Sequence, residues 1–170
     1  MLEILKTIAL VIFTALTARA TSLILQFSFF VDQDVGFWKL LTSCPFWHVF
    51  PNIIQLNQNI TSVLIVAPIL EGVILTCTIF LTLKLKLPKI IIIIFITIFA
   101  YFVHKTVAEG FYAYQASIAY CARAILFFHV LRKSRNSHIC AYCVTAITHA
   151  VYNFSALYLI TVYEMSGLLA

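Results

Sequence analysis

Long apolar runs alternate with short polar stretches along this chain, and a few polar residues stand inside the runs. The runs extend from about Ile4 to Phe30, Ile60 to Leu83, Lys89 to Thr106, Gly110 to Leu131 and Ile139 to Tyr163. Each is long enough to cross a hydrocarbon core as a helix, which takes roughly 17–25 residues. Backbone groups in lipid must be satisfied within their own segment, so helices are expected. No alternating pattern over ten-residue segments suggests a barrel. The expected fold is all-α: a polytopic transmembrane helix bundle of five spans, one domain over 1–170. No internal repeat or low-complexity segment divides it.

Charge adds an orientation. Lys84, Lys86 and Lys89 crowd the second connection between spans, and Arg132, Lys133 and Arg135 crowd the fourth. Asp32 and Asp34 follow the first span, Glu109 separates the third from the fourth, and Glu164 follows the fifth. Lysine and arginine mark the cytoplasmic side. The alternation puts the N-terminus inside and the C-terminus outside, which only an odd number of spans satisfies. The +5 net charge therefore belongs to span ends, and nucleic acid is not an expected partner. Composition agrees, with 63% hydrophobic and 10% charged residues against roughly 45–50% and about 25% in soluble domains.

Three segments carry rival readings. Ala18-Arg19-Ala20 resembles a signal-peptide cleavage site, but the apolar run continues through Leu23, Ile24, Leu25 and Phe29, favouring a retained span. Residues 31–59 hold Phe37, Trp38, Phe46, Trp47 and Phe50 and are broken by Pro45 and Pro51. Such aromatic content suits the membrane interface; the segment anchors the chain or acts as a lid or substrate-access element. Asn59-Ile60-Thr61 is a formal glycosylation sequon, discounted because it abuts the bilayer. Of Cys44, Cys77, Cys121, Cys140 and Cys143, only Cys140 and Cys143 form a C-x-x-C, and no second pair accompanies it. Ordinary helix cysteines are the expectation, with a zinc or redox site as the alternative.

The candidate chemistry lies in Glu71, His104, His149 and Asn153. An ionisable group at the bilayer centre costs roughly 2.5–3.5 kcal/mol on insertion scales, and such groups usually face a bundle interior. Counted from the basic ends of their spans, the four lie about 10–15 residues in, or roughly 15–22 Å at 1.5 Å per residue. They share one slab of the membrane, and His149 and Asn153, at i and i+4, share one helix face. A glutamate and a histidine can activate water, while a second histidine and an amide can stabilise the oxyanion formed. Arg19 and Arg123 are candidates for pairing with Glu71 or for binding a substrate carboxylate. His48, His129 and His138 are expected at the interface, and Tyr112, Tyr114, Tyr120 and Tyr142 in aromatic packing or belt positions, with pocket donors as the alternative.

Ala67-Pro68-Ile69-Leu70-Glu71, a histidine near the end of the next span, and His149-Ala150-Val151-Tyr152-Asn153 together resemble the CAAX-processing and bacteriocin-processing (CPBP) intramembrane proteases. The resemblance covers Ala67 to Asn153. It implies a glutamic endopeptidase without a cofactor, in which Glu71 is the base aided by His104, and His149 with Asn153 holds the oxyanion. It implies a membrane-anchored peptide or protein substrate, such as a prenylated C-terminus or a C-terminal sorting tail. A prokaryotic inner or plasma membrane is the expected location. The chain departs from the family's E-E-x-x-x-R and F-x-x-x-H motifs at Gly72, Thr76 and Ala100. Losing the second glutamate and the arginine together strands neither charge. Rival readings are a proton-coupled carrier subunit, a non-catalytic immunity or assembly factor of the same type, and a zinc hydrolase using Glu71, His104 and His149 as ligands.

Overall fold

The computed structural model describes residues 2–30, 61–107 and 112–165 of the 170-residue chain. The expected interfacial segment, with Cys44 and His48, lies outside the described residues, as does the connection carrying Glu109. The described residues form five α-helices and no strand: α1 (Leu2–Phe30), α2 (Ala67–Lys84), α3 (Lys89–Val107), α4 (Tyr112–Lys133) and α5 (His138–Met165). A π-helical turn, Ser62–Val66, leads into α2. Its cause is local. Pro68 has no N–H to donate, and its ring crowds the carbonyl four residues back, at Leu64. A widened turn relieves that crowding.

Among the described residues, three helices are long and apolar enough to cross a membrane, over Leu5–Ser22, Leu64–Lys84 and Lys89–Thr106. This fits an integral membrane protein. Their outward residues are large and apolar, among them Phe13, Ile74, Ile91, Ile94 and Phe102. In α4 the apolar pattern is diluted by Gln115, Ser117, Tyr120 and Arg123. The reason is position: α4 packs against α1, α3 and α5, and most of its surface is buried. A helix shielded from lipid by its neighbours need not be apolar all round. Ala113, Ala116, Ala119 and Ala124 let those neighbours approach closely.

Each neighbour presents a stripe of helical period. On α3 it is Ile92, Ile96 and Ala100, and His104 continues the same row at i+4. On α2 it is Pro68, Gly72, Leu75 and Ile79, with Glu71 beside Gly72. On α5 it is Ala141, Thr145, Thr148, His149 and Tyr152, and on α1 it is Val11, Ala15, Ala18 and Ser22. The buried hydroxyls do not lack partners, since Ser22, Ser117, Thr145 and Thr148 each donate to the carbonyl four residues back at 2.8–2.9 Å. The polar candidates therefore ride on stripes that packing already turns inward.

Candidate functional site

Helices α2 and α4 make almost no close backbone approach to each other, although both pack on α3 and α5. At the level of Glu71 polar side chains bridge the two, while Leu75 and Ile79 share an apolar core with Phe127. Arg123 of α4 is 2% exposed, and its Nη1 donates to Glu71 Oε2 of α2 at 3.3 Å. His149 of α5 brings Nδ1 to 3.4 Å from the same oxygen, outside good hydrogen-bond geometry. Glu71 keeps a quarter of its side-chain surface exposed, so its carboxylate is the open edge of an otherwise closed cluster.

His104 and Asn153 complete the group. The Nδ1 of His104 lies 2.8 Å from the Ala100 carbonyl. A carbonyl only accepts, so Nδ1 carries the proton and Nε2 is left as the acceptor nitrogen. The His104 ring packs edge-on to Tyr120, with centroids 5.7 Å apart, and lies near His149. Asn153 lies within side-chain hydrogen-bonding reach of His149, one turn away on α5. The four sequence-predicted residues thus come from α2, α3 and α5 into one neighbourhood.

The two arginines separate. Arg123 is the one beside Glu71. Arg19 instead lies over Tyr152, with Cζ 3.9 Å from the ring centroid, and its Nη2 donates to the Tyr152 carbonyl at 3.1 Å. It ties α1 to α5 and does not reach the cluster. Tyr120, expected in packing with a pocket donor as the alternative, stands close to both Glu71 and Arg123. The Arg123 guanidinium also lies over the Tyr120 ring, 4.7 Å from its centroid. The spacing held a signal, because Tyr120 and Arg123 are at i and i+3 and share a face. Two further Arg123 nitrogens, Nε and Nη2, are buried without a hydrogen-bond partner among the described residues.

The missing second glutamate has a structural counterpart. A Cβ placed on Gly72 would lie 2.9 Å from Tyr142 Cε2 and 3.5 Å from Ala146 Cβ. The Tyr142 ring occupies the space a side chain at 72 would need, while its hydroxyl donates to the Ile69 carbonyl at 3.4 Å. Gly72→Ala should therefore lower the thermal midpoint. Overpacking costs about 1–3 kcal/mol, more than the roughly 0.5–1 kcal/mol gained by replacing a helical glycine. In a Tyr142→Ala background the same change should become neutral or stabilising. A midpoint raised by Gly72→Ala alone would contradict this packing.

Glu71 faces a guanidinium, and no group of three His, Cys, Asp or Glu side chains among the described residues is placed to hold a metal. The same holds around Cys140 and Cys143, which are exposed free thiols. A cavity of about 830 Å³ is lined by α1, α3 and the α4 residues Ile118, Cys121, Ala122 and Ile125. Helical periodicity puts those residues on the face of α4 opposite Tyr120 and Arg123. It is an apolar, outward-opening hollow and contains none of the clustered polar residues.

Fold and site together define a class: an all-helical, membrane-type bundle with a buried Glu–Arg–His cluster. Comparison with family models, with curated proteins and with solved structures gives no match.

Proposed function

We propose that this protein is a glutamic intramembrane endopeptidase of the CPBP type. In this reading all five helices span the membrane, the N-terminus is inside and the C-terminus outside. The location is a prokaryotic inner or plasma membrane, and the substrate is a membrane-tethered peptide or protein cut close to the bilayer. A prenylated C-terminus or a C-terminal sorting tail fits that description. The observation that carries the proposal is the meeting of Glu71, His104, His149 and Asn153 from three helices. The basic turns after α2 and α4 support the orientation.

The chemistry follows from the atoms present. Water between Glu71 and Nε2 of His104 loses a proton to this pair as its oxygen attacks the scissile carbonyl carbon. The carbonyl oxygen becomes an oxyanion, to which His149 and the Asn153 amide donate hydrogen bonds. Collapse breaks the C–N bond, and the abstracted proton leaves on the amine. Arg123 holds the Glu71 carboxylate in place and balances its charge. No cofactor enters these steps.

The reading is tested with the full chain in vesicles beside a membrane-tethered peptide in oxygen-18-labelled water. A new C-terminal carboxylate carrying the label is the expected result. Proton movement without cleavage would favour the carrier reading. A non-catalytic relative, favoured by the residues at Gly72 and Thr76, would give neither.

A further inference from the structure

A second hollow lies where the turn between α2 and α3 meets the turn between α4 and α5. Its volume is about 460 Å³. Lys89, Arg132 and Arg135 line it, together with His138, and no aspartate or glutamate does. Among the described residues none of these three cations has an ion-pair partner. Glu3, near Lys133 at the same end, is taken by Lys6 at 2.8 Å. The Nδ1 of His138 is buried and has no hydrogen-bond partner among the described residues. Three like charges around one hollow repel one another, and an anion seated among them removes that repulsion.

The surroundings narrow the anion. The apolar stretch of α2 ends at Lys84 and that of α3 begins at Lys89, so the hollow stands at headgroup level. Its remaining wall includes Phe128 and Leu131, an apolar surface suited to the glycerol and upper acyl chain of a lipid. Arg135 is held by a turn in which it and Asn136 have φ of 52° and 67°. That left-handed conformation disfavours a residue with a Cβ, yet an arginine occupies it. Lys86, outside the hollow, closes α2 with the same conformation at φ 57°, so the turn sets where Arg135 sits and does not by itself mark a ligand.

We infer that the hollow between the α2–α3 and α4–α5 turns binds the phosphate of an anionic phospholipid, with Lys89, Arg132 and Arg135 as its cationic ligands. This assignment stands apart from the reading of the Glu71 cluster and survives if that reading fails.

The test measures lipid retained by the full chain, by native mass spectrometry from mixed micelles holding phosphatidylglycerol or phosphatidylcholine. Phosphatidylglycerol should be retained in preference. Lys89→Gln, Arg132→Gln and Arg135→Gly should each weaken its retention about fivefold, the effect of one cation near an anionic headgroup. Lys86→Gln removes the same charge at the same level without touching the hollow, and should change little. Arg135→Gly also relieves the left-handed backbone, so it should melt no lower than wild type and still lose lipid. Equal retention of the two lipids would overturn the inference. So would an equal loss with Lys86→Gln, which would indicate diffuse attraction to a basic surface. Displacement by an equal concentration of inorganic phosphate would make the ligand a soluble phosphate and overturn the lipid assignment.

Discussion

Replacing Glu71 by glutamine is expected to lower stability by about 3–5 kcal/mol, the cost of leaving a buried charge without its partner. The stranded charge is Arg123, which is 2% exposed and has Glu71 as its ion-pair partner among the described residues. The converse change, Arg123→Met, should cost less, because Glu71 keeps a quarter of its side chain open to its surroundings. The double variant removes both charges and should recover most of the loss, with a coupling energy at the upper end of about 0.5–3 kcal/mol. Unfolding of the four proteins in a denaturing detergent series measures this directly. Additive losses would show that the pair is not coupled. One consequence concerns any assay of activity. An inactive Glu71→Gln protein is ambiguous by itself, because a chemical base and a structural counter-ion are lost together.

The second large effect is on turnover. His104→Ala should reduce kcat by about 10²–10⁴, the usual contribution of a positioned acid–base group. Asn153→Ala should reduce it by about 10²–10³, the usual cost of one oxyanion donor. Neither change strands a formal charge, so the proteins should remain folded and inserted. Asn153→Asp separates catalysis from packing. It keeps size and shape but sets a negative charge where the oxyanion forms, and should be at least as damaging as alanine. A purely structural hydrogen bond to His149 would be kept by aspartate, and activity would then survive. The readout is cleavage rate at saturating substrate, with inserted protein quantified in parallel.

Much of this arrangement is legible in the sequence, and the reasons differ by residue. The helices follow from long, mainly apolar runs, since a backbone in lipid has no other partner. The common depth of Glu71, His104, His149 and Asn153 follows from rise per residue and the basic ends of the runs. His104 needs only the row Ile92, Ile96, Ala100 to show that it faces inward. The choice between Arg19 and Arg123 is not legible. Both sit inside apolar runs, both have long side chains, and periodicity says nothing of which helices are neighbours. Only packing shows that α1 meets α5 at Tyr152 while α4 faces the Glu71 side of α2. Tyr142 over Gly72 is hidden for the same reason: the glycine is visible, but the ring that fills its space comes from another helix. The central position of α4 is legible in retrospect, because its polar residues would be costly against lipid.

The most direct test of the protease reading compares protein termini in membranes of cells carrying wild type, His104→Ala, and the paired Glu71→Gln/Arg123→Met protein. The paired variant removes the base without leaving Arg123 uncompensated. The account predicts at least one new C-terminus, and its matching N-terminus, in wild type and in neither variant, with all three proteins inserted at equal levels. Identical termini in the three membranes, where wild type produces a measurable phenotype, would contradict it.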